Sequence, residues 1–80
     1  MKFLIRKLGA SGDTCVTVSE QELSDHLSRE FRNGFSAAIR TEEATRFVGD
    51  DLDRVLSEVM EAAVGKEEIE LLLIPRVEGG

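Results

Sequence analysis

Hydrophobic residues recur along this chain with two different periods, and the switches between them mark its elements. Over Met1–Leu8 they fall on both parities (Phe3 and Ile5; Leu4 and Leu8), the pattern of a strand with both faces partly covered. Gly9-Ala-Ser-Gly12 supplies a turn, and β-branched Thr14, Val16 and Val18 alternate over Asp13–Val18, so a second strand closes a hairpin. Ser19-Glu-Gln-Glu22 has the spacing of a capping box. Leu23, Leu27 and Phe31 then share one helical face, and the spacing predicts a helix over Glu20–Arg32 that stops at Asn33-Gly34. Phe35, Ala37 and Ile39 alternate in a third strand over Phe35–Arg40; Thr41-Glu-Glu is a polar turn, and Ala44–Val48 reads as a short fourth strand. Leu52, Val55, Leu56, Val59, Met60 and Ala63 return to the helical period over Asp50–Val64, with Asp50, Asp51 and Asp53 at the positive end and Gly65 as the stop. Ile69–Ile74 is a nearly continuous apolar run, as in a central strand; Pro75 is expected to end regular pairing.

The order strand, strand, helix, strand, strand, helix, strand predicts an α+β domain. Its most apolar strands, the first and the last, should lie side by side in the centre of a mixed four- to five-stranded sheet. A main helix packed on one face, with a second helix before the last strand, is the β-grasp arrangement. The expected core is Leu4, Ile5, Val16, Val18, Leu23, Leu27, Phe31, Ile39, Leu71 and Leu73, with Leu52, Val55, Leu56 and Val59 buried by the second helix. Residues 1–75 form the domain, and 76–80 a flexible, exposed tail. No repeat or linker interrupts the 80 residues.

Charge narrows the partners. The net charge is −6, so a polyanion is repelled; nucleic acid and acidic membranes are disfavoured and basic protein faces favoured. With four Phe but no Trp or Tyr, the chain also lacks a base-stacking platform. No stretch is apolar for long enough to span a membrane, and the basic break at Arg6-Lys7 makes the start unlike a signal peptide. A single cysteine permits neither an internal disulfide nor a cysteine metal cluster, in keeping with the cytoplasm.

Residues that could carry chemistry have plainer explanations. Cys15 has no base beside it and is expected to be a small packed residue. His26 lies off the Leu23-Leu27-Phe31 stripe and is expected at the solvated surface, and one histidine makes no zinc site. Glu42-Glu43 and the three aspartates suit a turn and a helix start rather than a metal. Gly9–Gly12 lacks the Lys-Ser/Thr of a phosphate loop, and the arginines are dispersed. The second helix's stripe is expected in the core of a monomer; left exposed, it would drive self-association.

The end of the chain carries a resemblance. Ile69-Glu-Leu-Leu-Leu-Ile-Pro-Arg-Val-Glu-Gly-Gly80 resembles the end of the ubiquitin-like sulfur carriers. In the small subunit of molybdopterin synthase an acidic turn, an apolar strand, a proline-containing tail and a terminal Gly-Gly come in that order; the thiamin sulfur carriers are related. Ile5-Arg-Lys-Leu-Gly-Ala-Ser-Gly-Asp-Thr14 is similar to bacterial ubiquitin-like proteins associated with activating enzymes and JAB-type peptidases. The resemblance covers the strand-strand-helix start and the last 12 residues. It departs at the long second helix, where ubiquitin has a short helical turn, and at Pro75-Arg76, where the sulfur carriers usually have Pro-Pro.

What the resemblance implies is a carrier rather than an enzyme, with no catalytic residue, resident cofactor or metal. Gly80 and Gly79 would be the site of activation and conjugation, and Arg76, Val77 and Glu78 the tail that a partner recognises. A ubiquitin-activating-type adenylating enzyme would spend ATP on the Gly80 carboxylate and hold it as a thioester. A conjugating enzyme, a JAB-type peptidase and target lysines are the further partners of a modifier. A sulfur carrier would instead bear a C-terminal thiocarboxylate. A non-covalent interaction module, using a sheet face or the second helix, is the reading from another class. Glycine suits the first two because, without Cβ, it threads a narrow channel unencumbered.

Overall fold

In a computed structural model that describes residues 1–9 and 12–75, seven elements follow in the order β1 (Lys2–Lys7), β2 (Thr14–Ser19), α1 (Glu20–Arg32), β3 (Phe35–Arg40), β4 (Thr45–Gly49), α2 (Leu52–Ala63) and β5 (Glu68–Pro75). The five strands form one mixed sheet in the order β2-β1-β5-β3-β4. β5 is central, parallel to β1 and antiparallel to β3, while β1–β2 and β3–β4 are antiparallel. The first and last strands are therefore neighbours, as their apolar content requires. α1 carries the chain across the sheet from the β2 edge to β3, and α2 carries it from the β4 edge back to the centre.

Both helices pack on the same face and touch each other. Beneath them lie Phe3 and Ile5 of β1, Val18 of β2, Ala37 and Ile39 of β3, Val48 of β4, and Ile69, Leu71 and Leu73 of β5. Leu23, Leu27 and Phe31 come down from α1, and Val55, Val59 and Ala63 from α2. Full burial of a leucine or phenylalanine contributes about 1.5–3 kcal/mol, so this single cluster carries the fold.

Several expectations need correction. Val16 is 39% exposed, although it has the same parity as buried Val18, because it lies on the edge strand beyond the cover of α1. Leu4 is half-buried; it faces the side of the sheet without helices, and Phe3 takes its place in the core. α2 is shorter than the Asp50–Val64 expected: Asp51 is its N-cap and Val64 its exposed C-cap. Leu52 and Leu56 only flank the core, and Ala63 is buried instead. β5 runs one residue beyond the apolar run: Pro75 is its last residue and still faces Phe35 in the β5–β3 ladder. The IELLLI run is central yet covered on one face only, since Glu70, Leu72 and Ile74 are half-buried on the face without helices.

The local signals operate with one variation. Ser19 is the N-cap of α1, but its hydroxyl donates to Glu22 Oε1 at 3.0 Å and makes no bond to the helix backbone. At the other end Asn33 N–H reaches the carbonyls of Arg29 and Glu30, and Gly34 takes φ +95° to turn into β3. A Cβ there would meet nothing within 4 Å, so only the backbone conformation resists it. Gly34→Ala is therefore expected to lower the unfolding free energy by about 1–2 kcal/mol, read from the urea midpoint.

Among the described residues no helix is long and apolar enough to cross a membrane, and no group of three metal-binding side chains forms.

Candidate functional site

β5 positions whatever follows it. As the middle strand it delivers the chain at Pro75, between the start of β3 and the end of β1, where Leu8 N–H bonds to the Leu73 carbonyl at 2.9 Å. The residues assigned to activation and recognition, Gly80, Gly79, Glu78, Val77 and Arg76, lie outside the described residues, as does the expected extended tail. What can be built from side chains is the end of the sheet from which they depart, and the face without helices.

At that end Lys7, Glu30, Asn33 and Phe35 converge. Lys7 is the last residue of β1 on the helix side, and its Nζ lies 3.1 Å from Glu30 Oε2. The same ammonium sits 4.7 Å from the centre of the Phe35 ring, within cation–π reach. Asn33 Nδ2 donates to Glu30 Oε1 at 3.4 Å. Glu30 is 6% exposed, which is unusual for a carboxylate and tolerable only because a cation and an amide satisfy it. Its helical position is the only sequence signal: Glu30 is next to Phe31, one turn on from Leu27 and two from Leu23, on the inner side of α1. The cluster locks the C-terminus of α1 to the sheet end where β5 leaves.

Removing only the cation should therefore cost more than removing both partners. Lys7→Met is expected to destabilise the domain by about 1–3 kcal/mol by stranding Glu30. Lys7→Met with Glu30→Leu should recover at least half of the loss. Chemical denaturation of the single and double variants checks this, and a strictly additive pair contradicts it.

Among the described residues the other face of the sheet bears no helix. Register places Cys15, Arg6, Leu72, Ala38 and Phe47 in one row across the five strands, and Thr17, Leu4, Glu70, Arg40 and Thr45 in the next. Glu70 Oε2 lies 3.5 Å from Arg40 Nη1 and 3.9 Å from Arg6 Nε. Two arginines about one carboxylate leave a locally basic spot on an acidic chain. Phe47 beside it is 63% exposed. Neither the pairing of Arg6 and Arg40 nor the exposure of Phe47 was legible from sequence, where the arginines are dispersed.

Cys15 is not the packed residue expected: it is exposed on the edge strand. His26 is half-buried beside Val18 rather than fully solvated. Glu42 and Glu43 are exposed in the turn, where Thr41 N–H and hydroxyl both donate to the Ala44 carbonyl. The three aspartates flank or open α2.

No protein-family model, curated protein or solved structure matches the chain.

Proposed function

We propose that the chain is a ubiquitin-like β-grasp modifier that acts through the carboxylate of Gly80. The observation that carries this reading is the position of β5. A central strand, held on both sides, ends at Pro75, directly before Arg76-Val-Glu-Gly-Gly in the sequence. A tail so anchored can enter a partner's active site while the domain stays folded outside. The strand order, with β1 parallel to β5 and α1 across the sheet, is compatible with a β-grasp.

The chemistry asked of this chain is small. The Gly80 carboxylate, as the end of the chain or as uncovered by a peptidase, attacks the α-phosphorus of ATP on a cytoplasmic adenylating enzyme. Pyrophosphate leaves and an acyl-adenylate forms. A cysteine thiolate of the enzyme then attacks the carbonyl, AMP leaves, and a thioester retains the activation. Attack by a target lysine amine, with loss of the thiol, forms the amide. The chain supplies the carboxylate, two residues without Cβ beside it, and a surface for docking. A net charge of −6 favours a basic enzyme face, with Glu78 and the exposed acidic residues as complements.

The deciding experiment is intact mass and gel mobility after incubation with ATP and an adenylating enzyme encoded next to it. A thiol-sensitive covalent adduct with the enzyme, followed by attachment to lysine, supports the modifier. A mass rise that replaces one carboxylate oxygen by sulfur supports the sulfur carrier instead. No ATP-dependent product with any neighbouring enzyme sinks both and leaves a non-covalent module.

A further inference from the structure

The two edges of the sheet are built differently. β4 is five residues long, faces a register shift at Ala37/Ala38, ends in Gly49, and carries Arg46, whose Nη2 is held 3.2 Å from Glu58 Oε1. Shortness, a bulge and a charge are the features that keep an edge from pairing with another chain. β2 has none of them. Its six residues, TCVTVS, include no charge, proline or glycine, and it pairs with β1 in one unbroken register. All but Val18 are exposed. In a chain with 16 acidic and 10 basic residues, this edge is a neutral, β-branched template.

We propose that β2 pairs antiparallel with β2 of a second copy, forming a two-fold dimer with one continuous sheet. A two-fold axis normal to the sheet keeps the helices of both copies on one face and pairs residues of like parity. Centred on Val16, it sets Val16 against Val16, Cys15 against Thr17 and Thr14 against Val18. Val16 is the residue that needs a cover: it points to the helix side, yet α1 leaves it 39% exposed. Val–Val contact across the axis is a favourable cross-strand pair.

The same rotation reverses α1. That helix begins with Glu20 and Glu22 and ends with Arg29 and Arg32, so the order of charge along one copy runs opposite to that along the other. Glu22, Asp25 and Arg29 line a groove beside Val18 of β2, so charges of both signs lie next to this strand. A second copy presents both a neutral strand and the reversed order of charge. Because the β4 edge is blunted, association closes at two.

Sedimentation velocity, in reductant so that Cys15 makes no disulfide, tests this without ATP or an activating enzyme; its outcome is independent of the function proposed for the tail. From about 1 μM to about 1 mM the wild-type mass is expected to rise from 8.8 kDa toward twice that value. Val16→Lys places two like charges on the axis and should stay at 8.8 kDa throughout, while Phe47→Lys, on the opposite edge strand, should dimerise as the wild type does. Amide exchange on the wild type is a second reading that needs no variant: β2 should gain protection as concentration rises and β4 should not. A wild type that is monomeric across the series overturns the proposal, including the case in which some other protein occupies β2. So does loss of the dimer in Phe47→Lys but not in Val16→Lys.

Discussion

Leu27→Ala is expected to lower the unfolding free energy by about 2–5 kcal/mol. Leu27 is fully buried in the middle of α1, among side chains from both helices and the sheet. Truncation removes apolar area and leaves a cavity that neighbours held by five strands cannot collapse to fill. A single-core domain of this size has a total stability of only about 5 kcal/mol, so most of the margin would be lost. Urea unfolding followed by circular dichroism, at low protein concentration, measures the change. Val16→Ala serves as the comparison. It removes a similar side chain from an exposed position, and a loss below about 1 kcal/mol is expected there. Equal losses at the two positions would mean that α1 does not seat on the sheet as described.

If the chain is the modifier proposed above, deletion of Gly80 is expected to abolish formation of the enzyme thioester, and Gly79→Val to slow it by at least about tenfold, or about 1.4 kcal/mol of barrier. The new end after deletion is still a carboxylate, but it is one residue short of the ATP in a site built for the full reach. At Gly79 a β-branched side chain narrows the conformations available and meets the wall of any channel that fits glycine. Both changes lie beyond β5, so the unfolding midpoint should stay where it is. That unchanged midpoint separates a catalytic defect from a folding one. Single-turnover thioester formation with the cognate adenylating enzyme provides the measurement. A truncated chain that is used as well as the full one would show that the carboxylate of Gly80 is not the working group.

Much of the fold was legible because the two helices have strong, different stripes. Leu23, Leu27 and Phe31 recur at helical spacing between a Ser19-Glu22 start and an Asn33-Gly34 stop, and α1 has the expected bounds. Strand ends and faces were less legible. A strand's two parities are equivalent until something covers one of them, so the sequence could not say that Leu4 would face away from the helices and Phe3 toward them. Nor could it say that Val16 and Cys15 sit on an edge: edge and centre are properties of neighbours, and among the described residues β2 has a neighbour on one side only.

For the candidate site the division is sharper. The Arg76–Gly80 segment is legible as a sequence feature alone, in the order of its residues. The surfaces that could present that segment exist only in three dimensions. Arg6, Arg40 and Glu70 are far apart along the chain and meet because β1, β5 and β3 are adjacent in register. Lys7 and Glu30 meet because α1 returns over the end of β1. Local periodicity and capping chemistry determined which segments are helix and which are strand, since those choices are made within a turn or two of chain. Which strand is central, which edge is open and which charges pair were decided by the packing of both helices on one face, a choice that depends on the whole core at once.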